Sequence, residues 1–376
     1  MAKKALLTTD DGIYHKVKKG FLTDDNSVYR KVKKAFLTVG GVYRPCWSGG
    51  ELAYWGTAEA LSSVSEALAA TSVGNYALFG GGRSNSSYYL NTVNAYDESL
   101  TRTTPTPLSG ARGYLAATSV GNYALFGGGT DSSNRDIVDA YDESLTRTTV
   151  TPLSVARGYF AATSVGNYAL FGGGSAYASR MDTVDAYDKS LTRTTPTPLS
   201  VARNYFAATS VGNYALFGGG LYSSGRTDTV DAYDESLTRT TPTPLSVARS
   251  YLSATFVGNY ALFGGGNAAD GMRDIVDAYD ESLTRTTPTP LSVARYYQAA
   301  TSVGNYALFG GGHIGGTGGE RSDVDVYDES LTRTTAASLS NARATLAATS
   351  VGNYALFGGG LYNNSRKGTV DVYIVA

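Results

Sequence analysis

Two histidines, His15 and His313, and one cysteine, Cys46, are the whole supply of imidazole and thiol in 376 residues. Two imidazoles are too few for a multi-histidine metal site. A lone thiol with no histidine near it in the chain lacks the base that would activate it. Carboxylates such as Asp270 and Glu320 are the remaining acid/base material, and nothing in their spacing singles out a catalytic pair. The recurring triple glycines are never followed by Lys and a helical pattern, so they are not phosphate loops. The expectation is a protein that is not an enzyme and needs no cofactor or metal. What the sequence does supply is recognition chemistry. Arg83, Tyr88, Tyr89, Arg135, Tyr177, Arg180, Tyr222, Arg226, Met272, Arg273, Tyr296, His313, Arg321, Tyr362 and Arg366 all fall in short stretches that vary within an otherwise repetitive chain.

The element that positions them is Val-Gly-Asn-Tyr-Ala-Leu-Phe-Gly-Gly-Gly, present verbatim seven times between Val73 and Gly360 and spaced by 45 to 48 residues. A fixed period of this length marks a repeat architecture. Each unit reads as four strands. In the second unit these are Leu115 to Val120, Tyr123 to Phe126, Ile137 to Tyr141 and Leu145 to Thr149. A Gly121-Asn122 hairpin turn joins the first two, and Asp142-Glu-Ser supplies the polar turn between the last two. The apolar run Tyr-Ala-Leu-Phe suggests a strand buried on both faces, and its glycines allow close approach of neighbouring backbone.

Four strands per unit is the periodicity of propeller blades. The chain resembles the kelch-repeat family from about residue 51 to 376. The resemblance rests on the glycine run after an apolar strand (Tyr76 to Gly82), on Val-x-x-Tyr-Asp (Val93 to Asp97), and on an Arg just before the first strand (Arg112, Arg157, Arg203, Arg249, Arg295, Arg343). The family's Trp in the fourth strand is replaced by Arg102, Arg147, Arg193, Arg239, Arg285 and Arg333. The resemblance implies an all-β, seven-bladed β-propeller of four-stranded blades. It also implies that the pre-strand Arg bonds carbonyls of the link between blades; a ring of these arginines holding an anion is the alternative. The ligand set of copper-dependent kelch oxidases and the Asp-boxes of sialidase-like propellers are both missing.

The seventh unit stops one strand short, at Val370 to Tyr373, while Glu51 to Thr57 is unclaimed. A shift of 47 residues places Trp55 on Arg102 and Leu61 on Leu108. Residues 51–57 are therefore expected to complete the last blade and remove an open sheet edge.

With 42% hydrophobic and 11% aromatic residues the chain has ample material for a core. One propeller, 48–376, plus an extension, 1–47, is the economical division. The overall charge of −1 divides into +6 for residues 1–48 and −7 for the rest. The extension has its own period of 15 (Lys3, Lys18 and Lys33 each opening Lys-Lys-x-Leu/Phe-Leu-Thr) and reads as three β-hairpins too small to be stable alone. It is expected to attach the propeller to a larger assembly or to trimerise it, a solvated basic face being the alternative. Such hairpins, ending in Arg44-Pro-Cys-Trp-Ser-Gly-Gly, are similar to N-terminal segments of phage tail and other virion proteins of Gram-positive hosts. Nucleic-acid binding is disfavoured by the interleaved Asp10, Asp11, Asp24 and Asp25. The first residues carry no apolar run of a signal peptide, and no 18-residue apolar span follows; a cytoplasmic or virion-associated location is expected, with release by lysis.

Between the last glycine of each run and the Val of the third strand lie 10, 8, 9, 9, 9, 11 and 9 residues, which accounts for all variation in the repeat spacing. A second variable position follows the pre-strand Arg: Glu66, Gly113, Gly158, Asn204, Ser250, Tyr296 and Ala344. In an up-and-down blade both lie on one face, around the channel mouth, while the turns at the opposite face scarcely change. Tyr, Ser, Gly, Asn and Arg dominate there, as in paratopes. The leading expectation is a binding or adhesion module that presents this rim to a protein or glycan ligand. A structural or decoration subunit with an idle rim, and a hydrolase or isomerase at the channel mouth, are the alternatives.

Overall fold

The Ala-Leu-Phe segments are fully buried in every repeat, because each second strand has a strand on either side and another blade above and below. In blade 2 the strands Ala116–Val120, Tyr123–Gly127, Val138–Asp142 and Arg147–Val150 pair antiparallel in that order. The same order recurs in seven four-stranded sheets. The computed structural model describes residues 50–375, apart from 85–87 and 178, together with the strand segments Phe21–Thr23, Tyr29–Lys31, Ala35–Val39 and Val42–Trp47. No element among these is helical.

The first strand of each blade touches the first strands of both neighbours, and that of blade 7 (Ala347–Val351) touches that of blade 1 (Ala69–Val73). First strands therefore surround the central channel and fourth strands lie outermost. The chain is a seven-bladed β-propeller, as the repeat count implies. Between blades the core is built from the same parts: Phe126 sits edge-on to Tyr141, with centroids 5.9 Å apart, and packs with Leu78, Val93 and Leu108 of the preceding blade. A Cβ on Gly80 would come within 2.7 Å of the Phe126 ring, so the close spacing of the blades depends on glycine there.

Blade 7 (Ala347–Val351, Tyr354–Gly358, Val370–Val375) takes its fourth strand from Leu52–Ala58, which pairs antiparallel with Val370–Val375. The ring is thus closed by the expected segment, but in a different register. A bulge between Val372 and Tyr373 puts Tyr54, not Trp55, opposite Tyr373, where Arg147 stands opposite Tyr141 in blade 2. The uniform shift of 47 residues placed Trp55 in the Arg102 position; the extra residue of the bulge displaces it by one. Trp55 packs edge-on against Tyr354 instead, and Gly56 next to it has φ +122°.

In the extension, Phe21–Thr23 pairs with Tyr29–Lys31 and Ala35–Val39 with Val42–Trp47, the second and third of the expected hairpins. The first hairpin, within residues 3–17, lies outside the described residues.

Candidate binding face at the channel mouth

The pre-strand arginines have no free charge to offer. Arg112 is fully buried and pairs at 2.8 Å with the equally buried Asp139 of its own blade. It also donates to the carbonyls of Gly110 and Phe126. Asp139 further accepts from the Ser109 amide and hydroxyl and from Arg147. Burial works to raise the Asp139 pKa, but Arg112 beside it and these hydrogen bonds hold it below the ordinary carboxylate range. Equivalent buried pairs are Arg157–Asp185, Arg203–Asp231, Arg249–Asp277, Arg295–Asp325 and Arg343–Asp371. They join the link before a blade to that blade's third strand, so they are structural. Blade 1 replaces both partners at once, with Ser65 in the Arg place and Asn94 in the Asp place.

The residue two beyond each Arg is left-handed. Ala67, Tyr114, Tyr159, Tyr205, Tyr251, Tyr297 and Thr345 all have φ between 52° and 60°. Each donates its amide to the carbonyl of its counterpart one blade back, from Tyr114 to Ala67 round to Ala67 onto Thr345, at 2.8 to 3.1 Å. Seven hydrogen bonds thus form a closed belt around the channel mouth. For a non-glycine residue the conformation costs about 1 kcal/mol or more. Ala67 and Thr345 adopt it too, so the conformation belongs to the belt and not to tyrosine.

Five tyrosines hang from this belt as a continuous arc. Consecutive ring centroids, from Tyr114 through Tyr159, Tyr205 and Tyr251 to Tyr297, are 4.4, 4.9, 4.5 and 4.7 Å apart. The rings are half-buried. Burial raises the Tyr114 phenol to about 12 and those of the other four upward as well. All five are neutral near pH 7, which suits them to stacking and hydrogen bonding and not to proton abstraction. The arc is absent from the reading of the sequence because the Tyr lies inside the nearly constant frame. The signal that could have found it is Arg-x-Tyr in five units, with Ala67 and Thr345 as exceptions.

The variable stretches do share the arc's face. The residue after each Arg bridges backbone to backbone with the first residue of its blade's variable loop: Glu66 with Arg83, Gly113 with Thr130, Gly158 with Ser175, Asn204 with Leu221, Ser250 with Asn267, Tyr296 with His313, Ala344 with Leu361. In blades 3, 4, 5 and 7 the loop is a miniature hairpin, as in Leu221–Tyr222 against Gly225–Arg226.

Individual rim residues have separate fates. Arg83 and Arg366 both pair with Glu66, a carboxylate only 2% exposed, at 2.9 and 2.8 Å. Thr345 also donates to it, which fills the gap in the arc with a charge cluster. Arg83 lies over the Tyr114 ring at 5.3 Å, and Tyr89 adjoins it through a backbone bridge. At the other end Tyr296 packs against Tyr251, Tyr297 and His313, and the His313 Nδ1 accepts from the Gly315 amide. Met272 lies beside Gly315. Arg135, Arg273 and Arg321 are tied to Asp131, Asp270 and Asp323 of their own loops. Tyr88 and Tyr177 are strongly exposed, and Tyr362 stands under Lys367 at 5.6 Å. A cleft of about 370 Å³ between the hairpins of blades 3 and 4 is lined by Ser179, Arg180, Val201, Ala202, Tyr222 and Ser223.

The same fold occurs elsewhere. A solved structure titled "Structure of YjhT" is similar to this chain with a TM-score of 0.58 at 13% identity, over 74% of this chain and 99% of that one. At this identity the likeness establishes the propeller fold alone. No protein-family model matches the sequence, and no curated protein matches it. Among the described residues no group of three or more His, Cys, Asp or Glu could hold a metal ion, and no helix is long and apolar enough to cross a membrane.

Proposed function

We propose that the propeller is a non-catalytic recognition module of the kelch-repeat type that takes a glycan on the tyrosine arc and selects it through the variable loops. The observation that carries this reading is the arc itself. Five neutral, half-buried phenols, each ring at stacking distance from the next, form a curved row whose exposed aromatic surface suits the C–H groups of a sugar and whose hydroxyls suit its own. A protein ligand would be expected to bury large exposed anchors of the Tyr88 or Tyr177 kind first, so loss of binding on replacing those, with the arc intact, would favour it. The lysine-rich extension, residues 1–47, then holds the propeller on a larger assembly, for which a phage tail that meets a host surface is a fitting setting.

The test is a glycan array probed with the full chain and with Tyr251→Ala. Signals on a small set of glycans that vanish in the variant support the reading. A structural or decoration subunit would show no glycan signal with either protein, while removal of residues 1–47 would abolish its assembly.

A further inference from the structure

Of the seven rim arginines, five are neutralised by carboxylates, as described above. Arg180 and Arg226 are not: neither has a carboxylate partner among the described residues, and the Nε of each is enclosed without a hydrogen-bond acceptor. The core arginines also leave Nε unpartnered, but each has its buried aspartate; these two have none. They occupy the same place in adjacent blades, Arg180 paired across its hairpin with Ser175 and Arg226 with Leu221. Both positive charges act on the Tyr251 phenol, lowering its pKa against the larger raising effect of burial. Their hairpins bridge to the belt beside the arc, Ser175 to Gly158 next to Tyr159 and Leu221 to Asn204 next to Tyr205. Asp182 and Asp228, the nearest acidic residues in sequence, make no ion pair with either arginine. Arg180 also lines the 370 Å³ cleft, together with Tyr222.

We infer that the mouth over blades 3 and 4 binds an anionic substituent of the glycan, with Arg180 and Arg226 as its partners and Tyr205 and Tyr251 beneath the sugar that bears it. The inference rests on the glycan reading above. Planar guanidinium groups bind carboxylate or sulfate oxygens in paired hydrogen bonds, and partial burial strengthens the contact. The shared chemistry is an oxyanion on a pyranose, supplied by a uronic acid or by a sulfate ester.

The experiment is calorimetric titration of the full chain with hexagalacturonate, its fully methyl-esterified form, a κ-carrageenan hexasaccharide, which bears sulfate and no uronate, and neutral cellohexaose. The expected result is that the uronate or the sulfated oligomer binds roughly tenfold or more tightly than the ester and cellohexaose. The affinity should fall with added salt. In R180Q/R226Q, whose thermal midpoint is checked against the parent, that preference disappears while the weaker binding of the neutral oligomers stays. Tyr251→Ala weakens all of them alike. Which acid binds distinguishes uronate from sulfate. Equal binding of acid and ester, or a preference that survives R180Q/R226Q, overturns the anionic site and leaves the glycan reading intact. Absence of binding to all four probes counts against both.

Discussion

Tyr54 donates a 2.7 Å hydrogen bond to Oδ1 of Asp371, joining residues 317 positions apart across the seam where the two ends of the propeller meet. In other blades that oxygen faces the fourth-strand arginine, as Arg147 faces Asp139 at 3.0 Å. At the seam a tyrosine takes the arginine's place because the bulge moves the closing strand by one residue.

Removal of residues 51–57 should therefore abolish the compact monomer. The third strand of blade 7 would become an unpaired edge, and Tyr373 and Tyr354 would lose the packing of Tyr54 and Trp55 against them. Size-exclusion chromatography should show aggregate or a higher oligomer. Tyr54→Phe keeps the packing and loses one hydrogen bond to a charged group, at about 1–2 kcal/mol. Its urea midpoint should fall with little change in slope.

The Arg203–Asp231 pair, at 2.7 Å with both side chains fully buried, should show strong coupling. Arg203→Ser alone strands a buried carboxylate and should cost roughly 3–5 kcal/mol. Adding Asp231→Asn should restore much of that, because blade 1 already folds with Ser65 and Asn94 in these places. A double-mutant cycle in urea measures the coupling; additive losses would contradict this account.

Alkaline pH should unfold the propeller cooperatively. The buried phenols of Tyr141, Tyr187, Tyr233, Tyr279 and Tyr327 donate to link carbonyls, and burial raises their pKa values above that of free tyrosine. A raised folded pKa means the stabilisation is complete below the unfolded value of about 10 and is lost as pH rises beyond it. The phenolate absorbance of these buried rings, a step separate from that of exposed tyrosines such as Tyr88 and Tyr177, should thus appear together with loss of β-sheet circular dichroism above about pH 10. Ionisation of the full complement of tyrosines ahead of unfolding would show that the buried rings are accessible in the native state.

The fold was legible because the repeat states it seven times. Gly121-Asn122, the apolar strand and the Val-x-x-Tyr-Asp segment each specify one feature of a blade, and the missing fourth strand pointed to residues 51–57, where the closing strand Leu52–Ala58 lies. A bulge leaves no mark in a period count, so Trp55 was placed one residue out. The mouth was half legible. Variation between units exposes loops such as those of Arg180 and Tyr222, since change is what distinguishes them. The tyrosine arc escapes that test, because a ring built by the symmetry must itself be repeated and so looks like frame. Aspartates such as Asp139 were hidden for the same reason, within an ordinary alternating strand.

Two left-handed positions should respond to substitution in opposite directions. Gly219, at φ +72°, has no room for a side chain: a Cβ would lie 2.6 Å from the Arg249 carbonyl oxygen. Gly219→Ala should therefore destabilise by about 2 kcal/mol or more through strain and displaced backbone. Tyr205, at φ +53°, pays the left-handed cost already. Its ring recovers part of that cost by stacking on Tyr159 and Tyr251. Tyr205→Ala loses the stacking and keeps the strain, whereas Tyr205→Gly loses the stacking and relieves about 1 kcal/mol of strain. The glycine variant should be the more stable of the two, the reverse of the usual order for a site of negative φ. If thermal melting ranks alanine above glycine, the belt conformation at Tyr205 is not strained and its stability has another source.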